Sequence, residues 1–206
     1  MKVEVYADIA CPWCRLGTHR FHRAVAAAGA GTDVELVHRP YQLMPDAPEE
    51  PRPLMDTVAE LFGPEQAGAM VTEMARIGAG EGIVYRFDRA VAVNTLTAHR
   101  LLWLALREQG AEVQARLATA LFDGYFRDGV NVADHARLAE LAERAGSDGG
   151  RARAFLAVGE GHAEVRALVA AARREGVTTV PRFVFGNGVV IAGVTSAEAL
   201  GDALRQ

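Results

Sequence analysis

Apolar and polar residues alternate from the start of the chain: Val3, Val5 and Ala7 fall between Lys2, Glu4 and Tyr6, the period of two expected of a strand. Beyond Pro12 the spacing changes. Phe21, Ala24, Val25 and Ala28 recur at i, i+3, i+4 and i+7, one face of a helix, and the pattern stops at Gly29 and Gly31. Val34, Leu36 and Val37 then mark a short β-prone segment running towards Arg39-Pro40, and a connector with five prolines between Pro40 and Pro53 follows. From about Leu54 to Arg174 no convincing strand pattern occurs. About five or six helical segments fill this block, punctuated by Gly63-Pro64, the glycines from Gly78 to Gly82, Gly110, Gly129 and Gly146 to Gly150. Leu96, His99, Trp103 and Leu106 share one helical face, and Leu117, Ala120, Leu121 and Gly124 another; both read as core-facing.

Near the C-terminus Phe183 to Phe185 and Val189 to Ala192 read as two strands joined across Gly186-Asn187-Gly188, a strong hairpin signal, and a last helix starts at Ser196. The order is therefore strand, helix, strand, a long helical block, two strands and a helix. A strand-helix-strand unit implies a parallel pair with a right-handed crossover, and a terminal hairpin would extend the same sheet antiparallel. The expected fold class is α/β, a mixed sheet flanked by helices. Residues 1–50 with 176–206 carry the sheet, and residues 51–175 form a large all-helical insertion.

Composition narrows the function classes. Half of the 206 residues are hydrophobic and 23% are charged, as in a folded globular protein. The 22 basic and 26 acidic side chains, net charge -4, are spread along the chain without a basic stripe, so neither nucleic acid nor an anionic membrane is an expected partner. Glu4 and Asp8 interrupt the N-terminal apolar residues before a signal-peptide core could form, and no apolar run approaches the length of a membrane helix. A cytoplasmic location is expected. Thiols there are kept reduced, so a close cysteine pair is more often catalytic or metal-binding than a structural staple.

The two cysteines stand in Cys11-Pro12-Trp13-Cys14, where the first strand hands over to the first helix. At a helix N-terminus the unpaired N–H groups and the dipole favour a thiolate, which makes Cys11 the expected nucleophile. Cys14, one turn on, is placed to hydrogen-bond that thiolate and to attack a mixed disulfide. Pro12 suits the first helical turn and stiffens the loop, and Trp13 is expected at the surface. Two reduced core cysteines are the plainest alternative, but apolar packing gives no reason for this tetrapeptide at such a junction. Zinc held by Cys11, Cys14, His19 and His22 is another; four residues between Cys14 and His19 are too few for a finger, and His19 and His22 read as solvated or boundary side chains. No metal site is therefore assigned. The GAGEG run at Gly78 to Gly82 follows a helical pattern where a dinucleotide fingerprint requires a strand, so it is expected to be a loop.

These elements, with Val180-Pro181 entering the third strand, resemble the thioredoxin fold as elaborated in the DsbA family of thiol-disulfide oxidoreductases, and more narrowly its FrnE-like branch. Asp8-Ile9-Ala10, Arg39-Pro40-Tyr41-Gln42-Leu43 with Pro45-Asp46, Asn94-Thr95 with Ala98-His99-Arg100-Leu101, and Leu121-Phe122 with Tyr125-Phe126 carry the resemblance over nearly the whole chain. It implies that Cys11 attacks, that Cys14 resolves, and that Val180-Pro181 is a cis peptide beside the dithiol. Thr179, Val180, Pro12 and Trp13 would then line a groove for a disulfide- or thiol-containing protein or small thiol. No cofactor is implied, with glutathione a candidate co-substrate. Thr179 and Arg182 stand where relatives often carry glycine and an aromatic residue. The same fold family includes glutathione-dependent hydroxychromene-carboxylate isomerases and kappa-class transferases, which need no second cysteine; Cys14 favours dithiol exchange over that alternative. Asn94 could equally contact glutathione or cap the helix beginning near Thr95. Apolar faces in the insertion would either pack on the sheet domain or form a homodimer.

Overall fold

A computed structural model describes residues 1–29 and 33–206; Gly31, expected to end the first helix, lies outside the described residues. The elements run β1 (Lys2–Ala7), α1 (Pro12–Ala28), β2 (Glu35–Pro40), β3 (Arg52–Pro53), α2 (Leu54–Phe62), α3 (Pro64–Gly80), β4 (Val91–Ala92), α4 (Leu96–Gln109) and α5 (Ala111–Phe126). They continue with α6 (His135–Arg144), α7 (Gly149–Ala157), α8 (His162–Arg174), β5 (Arg182–Phe185), β6 (Val190–Ala192) and α9 (Ala197–Arg205). The main sheet has the order β2-β1-β5-β6. β1 pairs with β2 in parallel, Val3 opposite Leu36 and Val5 opposite His38, while β5 lies antiparallel to β1 and β6 to β5. This is the mixed sheet that the alternating pattern implied.

Local chemistry explains the element ends. Gly29 closes α1 at φ 87°, a conformation that costs glycine little. Ser196 caps α9 through Oγ, which accepts from Ala199 N at 3.2 Å. Val3 and Val5 are wholly buried, and Phe21 on α1 stacks on Phe183 of β5 with ring centroids 5.4 Å apart, so α1 is fastened to the centre of the sheet.

Four features of the helical block differ from the periodicity. Seven helices, α2 to α8, replace the expected five or six. β3 and β4 also form a separate antiparallel ribbon, Arg52 opposite Ala92, and two residues are too short to display alternation. Gly78 to Gly80, expected as loop, form the last turn of α3. A Cβ on Gly78 would stand 2.4 Å from the Tyr85 ring, so glycine here serves close packing. α4 is buried almost all round, with Ala98, Leu101, Leu102, Leu104 and Ala105 covered as well as Leu96 and His99, while Trp103 and Leu106 are half-buried.

β2 is an edge strand, and an edge strand leaves peptide groups unpaired. Gln114 of α5 covers this edge: its Oε1 accepts from His38 N at 2.9 Å, and its Nε2 donates to His38 O at 3.0 Å and to Leu102 O at 3.2 Å. The His38 ring is buried, its Nε2 has no partner among the described residues, and burial lowers its pKa to about 3, with His22 and His99 acting in the same direction. The folded value lies below the unfolded one near 6.5, so the stability this neutral ring contributes is complete above pH 6.5 and is lost as pH falls towards 3. Lowering pH from 7 to 5 is expected to remove about 2 kcal/mol through His38 alone, from 1.36 kcal/mol per pH unit below 6.5. Urea unfolding at both pH values checks this: His38→Leu should lose less stability than the parent by that amount, and equal losses would place the pH dependence elsewhere.

Candidate active site

The site grows from the end of β1. Cys11 N donates to Asp8 O at 3.1 Å, closing a turn, and Cys11 takes extended backbone angles at the N-cap of α1. Pro12 fills the first helical position, where its missing N–H leaves nothing unpaired. Cys11 O accepts from Cys14 N at 3.0 Å and from Arg15 N at 3.2 Å, so the first turn is wound directly on the motif. Both cysteines are free and buried, Cys11 at 3% exposure and Cys14 at 0%. Trp13 is 41% exposed on the rim.

Burial pushes the Cys14 thiol well up. A hydrogen bond with the Cys11 side chain and the Cys11 charge push the same way, while a bond from the Asp8 backbone opposes them. The two positions are therefore unlike. Cys11 borders a cavity of about 620 Å³, and Cys14 lies behind it.

Side chains remote in sequence hold this turn. Tyr85 Oη donates to Pro12 O at 2.8 Å; its ring stacks on Phe87 at 5.4 Å and meets the edge of Phe126 at 5.2 Å. Gly78 makes room for that ring. Asp8, buried, accepts from Leu43 N at 2.7 Å through Oδ2, and its Oδ1 lies 3.4 Å from both Ala10 N and His99 Nε2. Arg15 pairs with Asp123 of α5, Nε to Oδ1 3.1 Å and Nη2 to Oδ1 2.9 Å. The start of α1 is thus clamped from three directions.

Pro12 and Trp13 stand on the cavity wall with Cys11, but Thr179, Val180 and Pro181 do not border it. The Val180-Pro181 bond is cis. Pro181 is buried against α1, where a Cβ on Gly17 would lie 2.7 Å from its Cγ, one turn beyond Cys14; Thr179 is exposed and Val180 half-buried. Asn94 is used within the fold: Oδ1 accepts from Leu96 N at 2.9 Å and Gln42 Nε2 at 2.8 Å, and Nδ2 donates to Pro45 O and Ala47 O, each at 3.0 Å. It caps α4 from the residue before Thr95 and pins the proline connector. His19 is half-buried and His22 exposed, and among the described residues no three of His, Cys, Asp and Glu gather as a metal site.

The far wall of the cavity was not legible in the sequence. Leu61 and Phe62 of α2, with Met70 and Met74 of α3, share its wall with Cys11, and Asp8 and Tyr125 also border it. One signal was available in hindsight: α2 buries only Thr57, although its apolar residues outnumber its polar ones, which leaves apolar surface for the cavity.

Residues 2–205 match the DSBA-like thioredoxin domain family. The chain superposes over its full length on a protein described as a "probable DsbA oxidoreductase" from Streptomyces coelicolor, with 37% identity, TM-score 0.88 and 89% of that chain covered. Two more distant likenesses share the fold. One is the cytosolic disulfide reductase DsbM of Pseudomonas aeruginosa, also solved with glutathione: 17% identity, TM-score 0.64, 100% of this chain and 95% of that one. The other is a 2-hydroxychromene-2-carboxylate isomerase: 16% identity, TM-score 0.65, 100% and 91% covered.

Proposed function

This chain belongs to the DSBA-like thioredoxin domain family of thiol-disulfide oxidoreductases, and from that premise we propose that Cys11 and Cys14 carry the exchange. The observation that supports this most is the unequal placing of the pair: Cys11 on the cavity wall, Cys14 wholly buried behind it with its thiol held protonated. Cys11 thiolate attacks one sulfur of a substrate disulfide, forming a Cys11-substrate bond and releasing the other half as thiolate. Two of the influences that raise the Cys14 pKa come from Cys11, and both vanish once Cys11 is in a disulfide. Cys14 then loses its proton more readily and attacks Cys11 Sγ, releasing the second substrate thiolate. Two electrons pass from the dithiol to the substrate, and the protein ends with a Cys11–Cys14 disulfide. In reverse, the oxidised pair donates its disulfide to a substrate dithiol.

In this reading residues 1–50 and 176–206 form the thioredoxin-like part, and the insertion, 51–175, supplies the far wall of the cavity. Pro12 and Trp13 meet substrate on the cavity side, while the bend at Thr179, Val180 and Pro181 leaves the Val180 backbone to pair with an extended substrate segment. No bound cofactor is required, and glutathione is one candidate thiol co-substrate, to be compared with thiols that suit the cavity better. We place the exchange in the cytoplasm, the compartment named for the disulfide reductase DsbM that shares the fold; separately, among the described residues no helix is long and apolar enough to cross a membrane.

The test is equilibration of the protein in glutathione redox buffers, followed by thiol alkylation and mass measurement. A reversible loss of two hydrogens, with both cysteines blocked to alkylation, is expected, and the midpoint gives the potential on a scale where dithiol proteins span about -270 to -120 mV. One glutathione retained on Cys11 with no internal disulfide would replace this reading with a glutathione-dependent isomerase or transferase.

A further inference from the structure

Exchange at Cys11 uses only one edge of the cavity. We propose that the cavity binds a small, apolar, ring-bearing thiol or disulfide that carries a hydrogen-bond-accepting oxygen for Tyr125 Oη. The sulfur of this ligand rests on the exchange reading above; its body and its oxygen rest on the cavity alone.

At about 620 Å³ the cavity lies within the range of roughly 300–1,000 Å³ typical of small-molecule sites. Its walls are hydrocarbon, thioether and aromatic surface, among them Val58, Val71, Met74, Phe87 and Phe126. Among the described residues Arg52 is the only basic side chain on the wall, and Glu60 already engages both ends of its guanidinium, one of them at 3.0 Å. A tripeptide thiol such as glutathione would bring two carboxylates with no cation to meet them, and an extended polypeptide would bring peptide groups with few partners. A flat apolar body meets neither cost.

The polar groups bordering the cavity are unequal. Asp8 is engaged by Leu43 N, and Thr95 Oγ1 lies 3.4 Å from Gln42 Nε2. Tyr125 Oη and Thr57 Oγ1, both from residues on the wall, are buried and have no hydrogen-bond partner among the described residues; Tyr125 is the deeper of the two, at 0% exposure against 7% for Thr57. Burial raises the Tyr125 pKa and the Asp8 charge adds to the shift, so the hydroxyl stays protonated and can donate. A phenylalanine would fill the same space without an orphaned group, so the hydroxyl is explained by an acceptor that arrives with a ligand.

The test separates the cavity from the redox chemistry. In Cys11→Ser/Cys14→Ser protein, calorimetric titration with 2-naphthol and with naphthalene should show one site for each, the naphthol tighter. Tyr125→Phe should weaken 2-naphthol about 3- to 10-fold, the range of one ordinary hydrogen bond, leave naphthalene unchanged, and unfold at the same or a higher urea concentration than the parent. Val71→Trp, which fills the cavity, should abolish both. Reduced parent protein should then react with 4,4′-dihydroxydiphenyl disulfide over oxidised glutathione at a ratio at least about tenfold above that of dithiothreitol, tenfold being 1.4 kcal/mol. Absence of 2-naphthol binding, equal weakening of both probes by Tyr125→Phe, or a tenfold preference for a cysteine-peptide disulfide would overturn the proposal. Binding as described with neither disulfide oxidising the cysteines would instead overturn the exchange reading, and with it the sulfur of the ligand.

Discussion

Replacing Cys11 by serine is expected to abolish disulfide exchange, whereas replacing Cys14 by serine should leave a protein that arrests as a mixed disulfide with its substrate. The asymmetry follows from position. Cys11 is the sulfur on the cavity wall, at the N-cap of a helix whose first N–H groups and dipole favour negative charge, and a serine hydroxyl there offers almost no anion near neutral pH. The attacking step then falls to the background rate. Cys14 has no opening to the cavity, and burial together with Cys11 keeps its thiol protonated, so it contributes nothing to the first attack. Its task begins when Cys11 is covalently occupied, and without it the only route onward is attack by external thiol. Mass spectrometry after quenching with acid reads the difference: Cys14→Ser should carry one substrate thiol on Cys11, released by dithiothreitol, and Cys11→Ser none. Retention of exchange by Cys11→Ser, or a substrate thiol found on Cys14, would remove the roles assigned here.

Gly17→Val is expected to destabilise the protein by about 3 kcal/mol, near the upper end of ordinary overpacking costs. Two effects oppose each other at this position. Glycine inside a helix costs roughly 0.5–1 kcal/mol relative to alanine, so any side chain should help α1 in isolation. A Cβ at Gly17, however, would stand 2.7 Å from Pro181 Cγ and 3.6 Å from Phe183 Cε2, and a proline ring cannot swing aside as a flexible side chain does. The clash wins. Gly17→Ala should cost about 1 kcal/mol net and the valine variant more, because its branches add volume against the same ring. Gly68 of α3 provides the contrast: nothing lies within 4 Å of its Cβ position, so Gly68→Ala should raise stability by up to about 1 kcal/mol. Urea unfolding of the three variants decides the matter; a Gly17→Ala protein as stable as Gly68→Ala would mean that Pro181 does not press on α1.

The placing of the cysteine pair and the sheet were legible because both are encoded locally. Alternation marks β1, Pro12 marks the first turn of α1, and a Cys-x-x-Cys between them places one sulfur at a helix N-terminus without reference to anything distant. Gly186-Asn187-Gly188 likewise forms its turn from its own backbone, with Gly188 N donating to Phe185 O at 2.9 Å and Asn187 Oδ1 accepting from Val189 N at 3.1 Å. The family resemblance extended this reading to Val180-Pro181.

The surroundings of the dithiol belong to another kind of information. Tyr85 reaches Pro12 across 73 positions, Arg15 reaches Asp123 across 108, and Gln114 closes the edge of β2 from 76 residues away. Periodicity states which face of a helix is apolar, and nothing in it names the surface that face will meet. The apolar faces of α2 and α3 were therefore compatible with packing on the sheet or with a second copy of the chain; in the folded protein they border the cavity in front of Cys11. Sequence alone determined the order of the main-sheet elements and the place of Cys11 and Cys14 at the start of α1, since these follow from residues a few positions apart. Tertiary structure decided what stands before Cys11, an apolar cavity bordered by the unpartnered hydroxyls of Tyr125 and Thr57, because volume and hydrogen-bond satisfaction arise only where distant segments meet.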